Sequence, residues 1–155
     1  MNRSMIIFSL IFFIIGSVLY VTTREEVEVV SGETLLDDVN GNPIQQMRIE
    51  KHNFNSGIPF QFAELANESE QSKIVDTIEQ LELKPISGNF HQVAYTVYIE
   101  HDSDYGSRPL SLRMTEDYLQ TPNMQDTYHV VGENRLIEAI ESLDLNWNSP
   151  NRGNN

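Results

Sequence analysis

Histidines are the residues of this chain best suited to acid–base or metal chemistry near neutral pH. Four are present, at positions 52, 91, 101 and 129. None belongs to an HxH or HExxH pattern, so the helix-borne zinc signature is absent. The run from His101 through Asp102 and Asp104 could place ligands on one loop, but it is more typical of a solvated hairpin tip. The spacing of the histidines therefore predicts no zinc site.

The segment that begins at Asp102 also resembles the start of a calcium-binding loop, with Asp104 and Gly106 following it. Such a loop needs its glycine at the sixth position and a bidentate carboxylate at the twelfth. Here the glycine stands one place early, and the twelfth position is Arg113. A guanidinium group cannot ligate Ca²⁺. We therefore expect no metal ion, and no motif predicts any other cofactor.

The motifs of nucleophilic catalysis and of phosphate binding are missing as well. The chain has no G-x-S-x-G or S-x-x-K pattern, no glycine-rich phosphate loop and no cysteine. No spacing joins serine, histidine and acidic residues into a triad. We therefore assign no catalytic residue, and the sequence favours a protein that is not an enzyme. The alternative is a hydrolase whose site uses some of four dispersed residues, His91, His101, Asp102 and Glu116.

A strand pattern around Tyr98 supplies the best candidate for a binding surface. Alternate residues from Val93 to Ile99 are apolar or aromatic, which predicts a strand with that set facing the core. Tyr98 and Thr96 then lie on the opposite face, and Tyr105 follows in the next turn. An aromatic side chain on an open sheet face can mark a partner site, although a helix can also cover such a face. Tyr98, Thr96 and Tyr105 are the candidate contact residues.

Two helices and several strands are predicted to position these residues. Apolar residues at helical spacing predict helices over residues 68–82 and 133–144, the first capped by Asn67 and ended by Lys84-Pro85. Alternating apolar residues predict strands at residues 45–51, 60–63, 93–100, 110–114 and 128–131. The fold class is therefore α+β, a mostly antiparallel sheet with two amphipathic helices on one face.

The uncharged run from Met5 to Val21 sets the domain organisation. As a helix it would rise about 25 Å, near the lower limit for crossing a hydrocarbon core. We assign residues 1–23 to a transmembrane anchor or uncleaved signal, 24–43 to an extended stalk, 44–145 to the α+β domain and 146–155 to a disordered tail. The alternative is a cleaved secretory signal, which would release a soluble protein. The lack of an A-x-A cleavage pattern favours the anchor.

Charge indicates the orientation and excludes one class of partner. Arg3 precedes the apolar run, and positive charge before a span favours a cytoplasmic amino end and an outer carboxyl-terminal domain. The chain carries 10 Lys plus Arg against 23 Asp plus Glu, a net charge of −13. A general nucleic-acid binder needs a basic surface, so that class is excluded. Besides the lipid bilayer at residues 5–21, we expect an envelope protein or a peptide as partner.

Three features together resemble a known class of proteins. They are the short anchor led by Arg3, the helix Ile74–Leu83 running into Lys84-Pro85-Ile86, and the late strand Tyr128–Val131 before the helix Leu136–Leu143. The pattern, over about residues 44 to 145, is similar to small membrane-anchored extracytoplasmic proteins of unknown function from Bacillus-type Gram-positive bacteria. The resemblance implies an envelope location and no particular activity. We expect a non-enzymatic binding or accessory module of the cell envelope.

Overall fold

A computed structural model of the chain describes residues 27–37, 39, 41–53, 59–88, 92–102, 109–122 and 126–150. The predicted membrane segment at residues 5–21 lies outside these ranges, as do His91 and Tyr105. Within the described ranges, no helix has both the length and the apolar character that a membrane crossing requires.

In the described ranges, eight strands form one antiparallel sheet, and two α-helices accompany it. The strands are β1 (Val30–Ser31), β2 (Ile44–His52), β3 (Phe60–Leu65), β4 (Glu82–Ile86), β5 (Tyr95–His101), β6 (Leu110–Met114), β7 (Tyr118–Thr121) and β8 (Asp126–Val130). Their order is β1-β4-β8-β7-β6-β5-β2-β3. The helices are α1 (Glu68–Glu79) and α2 (Arg135–Glu141), and a 3-10 helix (Gly32–Leu36) precedes β2. The prediction of an α+β chain with a mostly antiparallel sheet is confirmed.

One face of the sheet, which we call the core face, carries the buried apolar side chains of the strands. Alternate residues of β2 and β5, among them Met47, Ile49 and Val97, are fully buried there. α1 adds Ile74 and α2 adds Leu136 to the same hydrophobic core. Because both helices share one core with this face, both pack on it and leave the opposite face without a helix from the described ranges.

α1 begins where the sequence predicts but ends earlier. The Asn67 side chain accepts a hydrogen bond from the Ser69 amide at 2.9 Å, so it caps the helix as expected. The helix ends at Glu79, and the chain then enters β4, which contains Pro85. Proline has no amide hydrogen for a strand ladder. The sheet accommodates it because β1 pairs with β4 only as far as Leu83, so no described strand lies beside Pro85 on that edge.

The described part of the segment assigned to a stalk differs from the expected extended linker. β1 pairs with β4, and the 3-10 helix buries Leu35 and Leu36, which are at most 1% exposed. With Val39, these leucines have the spacing i, i+1, i+4, which is typical of a helix. The Gly32 amide donates a 2.8 Å hydrogen bond to the Leu81 carbonyl, which fixes the 3-10 helix against the end of α1.

Two further segments differ from the sequence-based assignment. Residues 146–150, placed in the disordered tail, include Asn148, which forms an antiparallel bridge with Phe62, and Trp147, which packs against the core. Strand β7 was not predicted, since it is only four residues long and Pro122 follows it directly. Asn148 is held by Phe62, a neighbour distant in the sequence, whereas β7 pairs with β6 and β8, which adjoin it in the sequence.

Candidate binding face

The sheet face opposite the core, which we call the helix-free face, is defined by strand register. β2 places Arg48 opposite Tyr98 of β5, and Glu50 opposite Thr96. β6 in turn places Arg113 opposite Thr96. Successive strand residues point to opposite faces, so these side chains all lie away from Met47 and Val97. Six residues on this face, which we call the Glu50 cluster, are Arg48, Glu50, His52, Thr96, Tyr98 and Arg113.

Glu50 lies at the centre of the cluster. Its side chain is a carboxylate on the helix-free face, and yet the residue is only 8% exposed. One carboxylate oxygen, Oε1, accepts a hydrogen bond from the Arg48 guanidinium at 2.5 Å. The other, Oε2, accepts from the Tyr98 hydroxyl at 3.4 Å and lies 4.0 Å from the His52 Nε2. Glu50 therefore joins side chains from two strands into one polar network.

Arg48 is held between an anion and an aromatic ring. Its guanidinium carbon lies 4.6 Å from the centroid of the Phe62 ring, in addition to the ion pair with Glu50. Its Nε–H group is buried and has no acceptor among the described residues. A buried donor without a partner reduces stability, typically by about 1–3 kcal/mol. Hydrogen bonding within the described part of the chain therefore does not by itself explain the position of Arg48.

His52 is a neutral imidazole at neutral pH in this setting. Its Nε2 lies 2.9 Å from the Thr96 hydroxyl, and its ring packs beside Phe60 with the centroids 6.2 Å apart. Burial lowers the pKa of His52 below its usual value of 6.5. The negative charge of Glu50 opposes this shift, and the positive charge of Arg113 adds to it. His52 can therefore exchange hydrogen bonds with a ligand without adding charge.

Tyr98 is one of two members of the cluster that the sequence identified, the other being Thr96. Burial raises the pKa of its hydroxyl, and Glu50 raises it further through charge and through the hydrogen bond. Arg113 and Arg48 act in the opposite direction and do not cancel the shift. The hydroxyl therefore keeps its proton and serves as a donor. Tyr98 is partly buried, so part of its side chain remains accessible to solvent.

A cavity of about 360 Å³ opens beside the cluster. The described residues that line it are Gln46, Arg48, Glu50, Tyr98, Glu100 and Pro109. Its size is at the lower end of the range for ligand pockets, enough for a small polar group or one side chain of a partner. The lining offers donors from the guanidinium, amide and hydroxyl groups, and acceptors from two carboxylates. The cavity therefore fits a group that both donates and accepts hydrogen bonds.

The cluster does not have the geometry of a hydrolytic triad. A triad needs its nucleophile and its carboxylate on different nitrogens of the histidine. Here the Thr96 hydroxyl and the Glu50 carboxylate both face Nε2 of His52. Thr96 is also only 1% exposed, so a substrate carbonyl cannot reach its hydroxyl. The arrangement is suited to hydrogen bonding and not to nucleophilic attack.

The contact residues that the sequence predicted differ in their accessibility in the structure. Tyr98 borders the cavity, as expected for a contact residue. Thr96 lies beneath the surface and holds His52 in place. Thr96 is buried because strand pairing places Glu50 and Arg113 beside it. The alternation pattern of one strand does not predict these neighbours. Tyr105 lies outside the described residues.

The residues of the alternative hydrolase hypothesis are not brought together in the described part of the chain. His101 is 4% exposed at the end of β5, next to Asp102, which binds Gln45 through its carboxylate at 2.8 Å. Glu116 is exposed and follows β6 at the opposite end of the sheet, because Met114 pairs with the first residue of β5. The length of β5 separates the two sites by about 20 Å. The described residues also contain no group of three metal-ligating side chains.

Sequence reasoning missed most of the cluster. Arg48, Glu50 and His52 occupy every second position of β2. The buried Met47 and Ile49 lie on the other side of the strand, as does Lys51. Polar residues at this spacing usually indicate a solvated face. Only the pairing with β5 and β6 shows that Glu50 is buried and that its neighbours converge on it.

Neither a protein-family model, nor a curated protein, nor a solved structure matches this chain. The function must therefore be inferred from the sheet, its helix-free face and the Glu50 cluster.

Proposed function

We propose that this chain is a non-enzymatic binding module, displayed outside the cell membrane on a single anchor at residues 5–21. Its partner is an envelope protein or a peptide segment of one, and the helix-free face is the contact surface. The observation that carries the proposal is the Glu50 cluster, an ordered polar network on a sheet face that no described helix covers.

The composition of the helix-free face supports a protein partner. Interfaces are enriched in aromatic residues and arginine. Over β2, β3, β5 and β6, the helix-free face presents aromatic rings and arginines, namely His52, Phe60, Phe62, Tyr98, Arg48 and Arg113, beside the carboxylates of Glu50, Glu64 and Glu100. By contrast, neither α1 nor α2 contains an aromatic residue, and the exposed residues of these helices include Glu68, Asp76 and Glu138.

The cavity supplies the specificity of the proposed contact. Arg48 and Glu50 neutralise each other, so the pair offers a donor and an acceptor at fixed positions without net charge. Glu100 and Gln46 stand opposite each other in the register of β2 and β5 and border the same space. A partner side chain with an amide or a hydroxyl group would satisfy these groups. Leaving them unpaired under an apolar side chain would cost binding energy.

Site-specific photocrosslinking in membranes that contain the full chain tests the proposed contact surface. Gln46 is exposed and borders the cavity, and Asp76 is exposed on α1, which makes it a matched control. Benzoylphenylalanine replaces each residue in turn. We expect a discrete protein adduct from position 46 and none from position 76. The adduct from position 46 should also be lost when the same chain carries Tyr98→Ala.

Circular dichroism of the Tyr98→Ala chain is the folding control for that experiment. A folded Tyr98→Ala chain that keeps the full adduct would contradict the proposed contact surface. Equal adducts from positions 46 and 76 would also contradict it, because they would reflect collision in the membrane and not recognition by one face.

Membrane fractionation with intact-mass measurement tests the proposed anchor. We expect the full-length mass to remain in the membrane pellet after carbonate washing, since an uncharged run of this length inserts through the hydrophobic effect. Intact cells treated with protease should lose the carboxyl-terminal domain. A shorter soluble product in the medium would show that the run is a cleaved signal and would overturn this part of the proposal.

A further inference from the structure

Among the described residues, one backbone bridge covers the outer edge of β3. The Phe62 amide donates to the Asn148 carbonyl, and the Asn148 amide donates to the Phe62 carbonyl, both at 2.8 Å. This antiparallel bridge lies outside the eight strands. We call residues 146–148 the C-terminal clasp. Trp147 packs against the core within the clasp, and the ammonium group of Lys51 lies 6.0 Å from its ring.

Strand geometry shows which groups the clasp leaves open. In an antiparallel ladder, alternate residues direct both backbone groups to the same side. Phe62 stands opposite Glu50 in the register but bonds to Asn148, so its backbone groups point away from β2. Phe60 and Glu64 share this direction because they are two residues away. Among the described residues, neither has a backbone partner on that outer side.

We infer that the clasp is a removable cover and that the β3 edge beneath it is a pairing site for a second copy of this chain. The two β3 strands pair antiparallel about a two-fold axis at Phe62. This register places Phe60 of each copy opposite Glu64 of the other. The residues with outward backbone groups then meet each other, as a ladder requires.

Charge permits this register, and edge chemistry selects β3 as the edge that pairs. No like charges stand directly opposite each other, since Glu64 faces an aromatic residue of the second copy. The other edge of the sheet cannot pair in the same way, because β1 is only two residues long and Pro85 interrupts the exposed part of β4. Exposed edge strands are templates for strand addition, and β3, with six residues, is the longer of the two edges.

Pairing would extend the helix-free face from one copy to the next. Phe62 lies on that face, since it stands opposite Glu50 in β2. In the paired state the two Phe62 rings would lie side by side at the centre of one continuous surface. The inference does not depend on the proposed function, because it concerns the sheet edge and would hold for a chain without any other partner.

Disulfide crosslinking of the full chain in membranes tests the inferred register. The chain has no cysteine, so an introduced one has no competitor. Two differently tagged chains, one carrying Phe60→Cys and the other Glu64→Cys, are expressed together and oxidised. Residues directly opposite in such a ladder lie about 5.5 Å apart between Cα atoms, within reach of a disulfide. Each variant expressed alone should not crosslink, because the two-fold axis separates identical residues by about 14 Å along the strand.

Variants of the clasp test whether it controls the pairing. Asn148→Pro removes the amide that donates to Phe62, whereas Asn148→Ala keeps both backbone bonds and is the matched control. Ending the chain after Leu145 removes the clasp entirely. We expect mixed disulfide dimers to increase at least several-fold with Asn148→Pro and with the shortened chain, and to stay at the level of the unaltered clasp with Asn148→Ala.

Protease resistance of the domain establishes that each variant is folded. A folded shortened chain that gives no mixed dimer would overturn the inferred pairing site. Equal crosslinking of each single variant with itself would overturn the register. Equal mixed dimer with Asn148→Pro and Asn148→Ala would overturn the role of the clasp.

Discussion

Glu50 illustrates at the scale of single residues why the helix-free face is more than a solvated surface. Charged groups on an open sheet face usually remain in water, where pairing contributes little. Glu50 is instead 8% exposed, and its two oxygens accept from Arg48 and Tyr98. Loss of one partner of a buried pair leaves the other charge uncompensated. The sequence therefore maintains a network that an alternating strand does not need in order to fold.

The pKa of His52 is the first prediction at this scale. The folded pKa lies below the unfolded value near 6.5, chiefly because of burial. Protonation then favours the unfolded chain. The stability contributed by neutral His52 is therefore complete above pH 6.5 and is lost as the pH falls through the folded pKa. Proton NMR titration of the imidazole resonances measures this pKa directly, and urea unfolding between pH 7 and pH 5 measures the loss of stability.

Two charge variants test the cause of the His52 shift. Arg113→Gln removes a nearby cation, so the pKa of His52 should rise relative to the unaltered chain. Glu50→Gln removes an anion 4.0 Å away, so the pKa should fall further. Opposite responses are required because the two charges act with opposite sign. A shift in the same direction for both variants would mean that a change in packing, and not charge, sets the value.

At the scale of elements, β2 has two distinct sides. Met47 and Ile49 contribute to the core, while Arg48 and Glu50 form the cluster on the other side. Its register with β5 therefore positions the core and the candidate site at once. A slip by one residue would exchange the two sides and bury the wrong set of side chains. This coupling explains how a surface network can remain ordered without a covering helix.

The 3-10 helix provides the prediction at this scale. A Cβ atom at Gly32 would collide with the backbone carbonyl of Ile78 in α1, and backbone cannot move aside as a flexible side chain can. Gly32→Ala should therefore lower the free energy of unfolding by roughly 3 kcal/mol or more. Equilibrium urea unfolding of the full chain in a non-ionic detergent, followed by circular dichroism, measures the change.

Glu33→Ala is the matched control for Gly32→Ala. Glu33 is exposed in the same 3-10 helix, so its replacement should change stability by no more than about 0.5 kcal/mol. Equal stability of the Gly32→Ala chain and the unaltered chain would show that the 3-10 helix does not rest on α1 in solution. Residues 27–39 would then behave as the linker that the sequence first suggested.

At the scale of the whole molecule, the sequence predicted the elements that have an apolar periodicity of their own. It did not predict the elements that depend on contacts between residues distant in the sequence. Apolar periodicity located both helices and the strands of the β2–β3 and β5–β6 hairpins, and with them the α+β class. It did not locate β4, because Lys84-Pro85 is a stop signal for a helix and is tolerated in β4 only through the short length of β1. Burial of Leu35 and the bridge at Asn148 likewise depend on residues far away in the sequence.

The candidate site was predictable only on β5, at Tyr98 and Thr96, for the same reason. Tyr98 is an aromatic residue in a clear alternating strand, so it can be assigned to a face from its own strand. Glu50 becomes a neighbour of that strand only through the pairing of β2 with β5, which the sequence does not specify. Polar residues on a strand are also ambiguous, since solvation and a buried network have the same alternation pattern.

The net charge of −13 gives a prediction that belongs to the whole molecule. Repulsion among like charges destabilises the compact state, and salt screens it. The screening length falls from about 30 Å at 0.01 M salt to about 3 Å at 1 M. We therefore expect the Tm of the full chain in a non-ionic detergent to rise by several degrees as NaCl increases from 0.01 M to 0.5 M. Differential scanning calorimetry measures this change.

A variant with fewer negative charges separates this repulsion from a general effect of salt. Asp76→Asn, Glu116→Gln and Glu138→Gln replace three exposed carboxylates outside the Glu50 cluster. If self-repulsion is the cause, the combined variant should have a higher Tm at low salt and a smaller rise with NaCl. The two chains should then converge at 0.5 M NaCl. An equal rise in both chains would instead indicate that salt acts through hydrophobic burial, to which these three side chains contribute little.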